Sequence, residues 1–109
     1  MNPEKIGRNI AEKLTQIYYN KASEDPYKDL KYYFNHPLID MNLKEKAEDS
    51  DLKDKVKDLE ELCNQIGFTS LKPARNGFLS YLVHEGIIEP ETRMHSNVNL
   101  RFQKLCAIM

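Results

Sequence analysis

His36, His84, His95, Cys63 and Cys106 are the only soft metal ligands or strong nucleophiles in this 109-residue chain. No two of them stand at the C-x-x-C or H-x-x-x-H spacing that announces a structural zinc site, so no metal is expected. A cysteine becomes a nucleophile beside a cation or a helix N-terminus. Cys63 and Cys106 instead fall late in amphipathic segments at apolar positions, which predicts buried, inert thiols. Carboxylates are abundant, yet no pair of them is set apart from the charged run between Lys44 and Glu61, so no general acid or base can be singled out. The chain therefore reads as non-enzymatic and free of cofactors. What remains is a set of basic and amide side chains, Lys72, Arg75, Asn76 and Ser80, with Arg93 and Arg101 further on. These types hold phosphates and read base edges.

Those side chains need a helix to carry them. From Asp58 to Ile88 one amphipathic segment (Leu59, Leu62, Cys63, Ile66) stops at Gly67, turns through Phe68 and Thr69, and opens into another (Ala74, Phe78, Leu79, Leu82) that ends near Gly86. This stretch resembles the helix-turn-helix core of bacterial and phage DNA-binding domains, with Cys63 where such proteins often have alanine. The resemblance implies a second helix from about Thr69 to Gly86 that enters the major groove, and a homodimer to span two half-sites. Pro73 and Gly77 fall inside that recognition helix. An αα-hairpin with no nucleic-acid role gives the same pattern.

Charge bounds the partners. With 16 Lys and Arg against 17 Asp and Glu the net charge is −1, which argues against a nucleic-acid coat protein or attachment to anionic membranes by charge alone. The split is uneven: from Phe68 onward five basic residues face three acidic ones, +2, while the preceding part carries 11 and 14, −3. An anionic partner should meet the C-terminal part. No run approaches the roughly 20 apolar residues of a membrane span. The stretch MNPEKIGRNI lacks the apolar run expected of a secretion signal, and two cysteines suit a reducing cytosol.

Four segments have helical periodicity. Asn2 can cap the first, with Pro3 at its first position and Ile6, Ile10, Leu14, Ile17 and Tyr18 on one face. Gly7 reads as a local weakness there. Asp25 and Pro26 should open a second helix carrying Tyr27, Leu30, Tyr33 and Phe34, which Pro37 stops. Leu52, Val56, Leu59, Cys63 and Ile66 form a narrow stripe on a third helix, capped by Ser50, with Leu43 to Asp49 a loop or an earlier turn. Thr69 or Ser70 should cap the fourth, provided Pro73 lies in its first turn and Leu71, Ala74, Phe78 and Leu82 face the core. Gly77 would permit another backbone to approach closely.

After Gly86 the pattern is double. Ile87 and Ile88, then alternating Val98, Leu100 and Phe102, suit the two strands of a winged helix. Val98, Phe102, Leu105 and Met109 equally suit a helix starting near Ser96 or Asn97, and this stripe continues further. The expectation is a mainly α, single domain of four to five helices containing a helix-turn-helix-like pair, with the winged helix and its small C-terminal β-hairpin as alternative. Its function would be that of a cytosolic regulator binding duplex DNA through Lys72, Arg75, Asn76, Ser80, Arg93 and Arg101. The rival is a protein-binding module, such as a phage- or plasmid-type inhibitor, immunity protein or adaptor, that uses its tyrosine-rich helices or charged third helix.

Overall fold

The computed structural model describes residues 2–36, 38–91 and 96–108. Their regular elements are α1 (Pro3–Ile17), α2 (Lys28–Asn35), α3 (Leu43–Glu48), α4 (Lys53–Asn64), a 3-10 turn (Phe68–Ser70), α5 (Leu71–His84) and α6 (Ser96–Ile108). Six α-helices thus stand where four to five are expected, because Leu43–Glu48 winds into a short helix of its own.

The first helix is the centre of the fold. The Asn2 side chain accepts the Glu4 amide at 2.8 Å and Pro3 opens the helix, as its sequence predicts. Ile6, Ile10, Leu14, Ile17 and Tyr18 are all buried. Both α5 and α4 pack on α1, and each touches α1 more than it touches the other.

The α1–α5 contact is made by two glycines. A Cβ on Gly7 would lie 1.7 Å from the Ala74 carbonyl oxygen, and one on Gly77 would lie 1.9 Å from that of Glu4. Each glycine thus faces the carbonyl three residues before the other, and Ala11 and Ala74 are fully buried beside them. Small side chains let the helix axes close up, so that backbone packs on backbone. Gly7 is therefore no weak spot of a fraying end: its missing side chain is what admits α5.

Several expected helix starts shift for local reasons. α2 begins at Lys28 rather than Pro26, because the Pro26 carbonyl accepts the Asn20 amide at 2.9 Å and is not free to begin the helical ladder. Asp25 still accepts the Tyr27 amide and pairs with Lys31 at 2.8 Å. The helix stop expected of Pro37 lies outside the described residues. Ser50 does not cap α4: that helix starts at Lys53, and the preceding turn is closed by the Asp49 side chain on the Asp51 amide. Ser70 stands at the start of α5 without capping it, since its hydroxyl accepts the Gly67 amide and donates to the Gly67 carbonyl. Pro73 does lie in the first turn of α5.

Residues 96–108 are helical, and no strand occurs among the described residues. The winged-helix alternative is overturned by the packing. Alternation would place Leu100 beside Val98 and Phe102, yet Leu100 is 41% exposed while Val98, Phe102 and Leu105, at helical spacing, are buried. The Phe102 and Phe78 rings lie 4.8 Å apart, and Phe78 reaches Phe34 at 6.0 Å, so these aromatics join α2, α5 and α6 in one core.

Candidate functional site

Of the six side chains expected to meet DNA, the fold brings four onto α5. Lys72 and Asn76 are exposed on the side away from α1, and Arg75 and Ser80 flank them half-buried. No carboxylate occurs between Leu62 and His84, so this face is free of acidic groups from its own segment. Phe68, in the turn that leads into it, is 97% exposed. Gly67 has φ −99° and ψ 177°, extended backbone open to any residue, so the turn after α4 does not rest on a left-handed glycine. That role belongs to Gly86 (φ 72°) at the far end of α5: its amide reaches the Val83 carbonyl and the Ile87 amide reaches that of Leu82. This closure is a Schellman motif.

Arg101 has another task. It is only 5% exposed, and its Nε donates to the Tyr33 carbonyl at 2.8 Å while Nη2 donates to the carbonyls of His36 and Ile39. The guanidinium closes the C-terminal end of α2, where the helix dipole favours a cation, and is committed inside the fold. Burial pulls its pKa downward. Arg93 lies outside the described residues.

By fixing the His36 and Ile39 carbonyls, Arg101 helps to shape a groove of about 910 Å³ between the α2–α3 connection, α3 and α6. Met41, Leu43 and Leu105 contribute apolar wall, and Asp40, Glu45, Glu48, Lys44 and Lys104 supply charge. Leu38 and Ile39 also line it but remain 92% and 41% exposed. Tyr18 fixes the far wall: its hydroxyl donates to the Met41 carbonyl, and Lys46 of α3 lies 5.2 Å above its ring. Burial, helped by Tyr33 and nearby carboxylates, raises the Tyr18 hydroxyl pKa well above its ordinary value. Asn42, with φ 53°, makes the left-handed step from this connection into α3. Asparagine tolerates that conformation better than most residues.

The groove was hard to read from sequence. Leu38, Ile39 and Met41 form an evident apolar patch, but short-range periodicity cannot show that only Met41 turns inward. A smaller cleft of about 300 Å³ lies between α1 and α4, where Lys13 pairs with Asp58 at 3.5 Å. Among the described residues no three His, Cys, Asp or Glu side chains gather as a metal site. Cys63 is buried as expected, whereas Cys106 is half-buried, and neither is in a disulfide. No helix among the described residues is long and apolar enough to cross a membrane.

No protein-family model matches the chain, and neither a curated protein nor a solved structure is significantly similar to it.

Proposed function

We propose that the chain is a protein-binding module, and that the groove between the α2–α3 connection, α3 and α6 receives an amphipathic helix with basic flanks. The observation that carries this reading is the pair Leu38 and Ile39, held outward at the lip of an apolar groove by a buried arginine. An exposed leucine alone is ordinary, but apolar side chains continuous with a charged-rimmed groove mark an interaction surface. Apolar anchors spaced i, i+3, i+4 and i+7 on one helix face would fill such a groove. The charge of the rim sets the flanks: Asp40, Glu45 and Glu48 face Lys44 and Lys104, and Arg101 is occupied by carbonyls. A partner segment rich in lysine or arginine complements that balance.

The test is selection of a random peptide library against the wild-type chain and against the double variant Leu38→Glu, Ile39→Glu, whose exposed positions leave the core intact. Wild-type protein should enrich basic amphipathic sequences and the variant should not. Equal enrichment on both, or none on either, would remove the groove as the binding site.

DNA binding is the second reading, favoured by the exposed Lys72 and Asn76 on a segment without carboxylates. Retention on duplex DNA at low salt, abolished by Arg75→Glu and indifferent to the groove variant, would favour it.

A further inference from the structure

We propose that the chain associates head to tail, with Phe68 of one copy seated in the groove of the next. Phe68 is 97% exposed, more than any other large apolar side chain among the described residues. The turn that carries it is closed twice: the Gly67 amide donates to Ser70 Oγ at 2.8 Å, and the Ser70 amide donates to the Gly67 carbonyl at 3.2 Å. A ring presented on an already ordered turn loses little freedom when it is captured, which suits it to anchor an interface. The segment that follows carries Lys72 and Arg75, and no carboxylate occurs between Leu62 and His84.

The groove is complementary to this knob. Met41, Leu43 and Leu105 give it an apolar wall, and Asp40, Glu45 and Glu48 outnumber Lys44 and Lys104 on its rim. An aromatic side chain with cations behind it thus meets an apolar slot with carboxylates around it. No residue between Leu62 and His84 lines the groove, so knob and slot are different surfaces of one chain. A contact between two different surfaces has no two-fold axis, and each added copy leaves one knob and one groove free for the next. The proposal rests on the groove being a binding face and names a second copy as an occupant with the basic charge that face selects. One ring and a few exposed charges make a weak contact, so dilute chain is monomeric with both surfaces free.

Sedimentation velocity of the full chain from about 0.01 to about 1 mM is the test. Wild-type protein should move from monomer to species larger than a dimer as concentration rises, and the shift should recede in high salt or with the library-selected basic peptide. Phe68→Ala, and separately the double variant Glu45→Lys, Glu48→Lys, should each stay monomeric. All three positions are exposed, so both proteins should keep the wild-type circular dichroism spectrum. Mixed in equal amounts, they should form a 1:1 heterodimer that grows no further, because the first keeps an intact groove and the second an intact Phe68. A wild-type chain that stays monomeric at about 1 mM yet binds the peptide would overturn the self-association and leave the groove reading standing. Association that survives Phe68→Ala, or a mixture of the two variants that stays monomeric while wild type associates, would overturn the head-to-tail contact.

Discussion

Single atoms decide whether α1 and α5 can meet. A methyl at Gly7 or Gly77 would run into a backbone carbonyl, which has no rotamer to change, so the helices themselves would have to separate. We predict that Gly7→Ala and Gly77→Ala each destabilise by at least the about 1–3 kcal/mol typical of overpacking. Gly67→Ala, with only Ser70 Oγ within 4 Å of the added carbon, should stay within about 0.5 kcal/mol. Urea denaturation of the three variants checks the order, and equal midpoints would contradict the backbone-on-backbone crossing. Arg101→Met should cost about 1.5–3 kcal/mol for its charged hydrogen bonds and also release the Leu38–Ile39 lip. Tyr18 gives a pH signature. Its pKa is raised in the folded state, so unfolded chain ionises first and stability is full below the ordinary value of 10.0 and falls as pH rises beyond it. Tyr27, Tyr33 and Tyr81 are raised in the same direction by burial. Alkaline melting curves of Tyr18→Phe should therefore show a shallower loss above about pH 10 than wild type. An identical slope would place Tyr18 outside the buried network.

At the scale of elements, the sequence is most legible where one periodicity runs long and a cap is local. α1 satisfies both, so its start and buried face agree with the pattern of Asn2, Pro3, Ile6, Ile10 and Leu14. α6 is legible only through the full span from Val98 to Leu105, because three residues of it fit a strand equally well. Long-range contacts hide the rest. The Pro26 carbonyl is diverted to Asn20, and Gly7 looks unfavourable until Gly77, 70 residues later, is placed against it. Gly77 itself is legible as a site of close approach, but its partner is not. Arg101 is the clearest limit: a basic residue in a basic segment reads as an anion ligand, while its destination is a set of carbonyls at the end of α2 and in the connection after it. Stripe residues offer a direct check of the packing. Leu59→Ala on α4 and Phe78→Ala on α5, both at 0% exposure, should cost about 2–5 and 3–5 kcal/mol respectively in urea denaturation. A near-wild-type midpoint for either would mean that its helix does not close the core.

For the whole molecule, the acidic N-terminal part and the mildly basic C-terminal part present two different faces to a partner. The groove belongs mainly to the first, through Asp40, Glu45 and Glu48, with Lys104 and Leu105 of α6 as its other wall. The exposed side of α5 belongs to the second. With Arg101 committed inside the fold, Lys72 and Arg75 are the cations of that α5 face, so any duplex binding should have a salt slope of only about −2 in log affinity against log salt. A slope several times steeper would show phosphate contacts well beyond α5. The central claim is that the groove is the binding face. Its most direct test is a titration of isotopically labelled chain with a library-selected basic amphipathic peptide, read by amide and methyl NMR shifts. The account predicts movement at Ile39, Met41, Leu43 and Leu105, with Lys72 and Asn76 unmoved. Shifts confined to α5, or present with duplex DNA and absent with peptide, would contradict it.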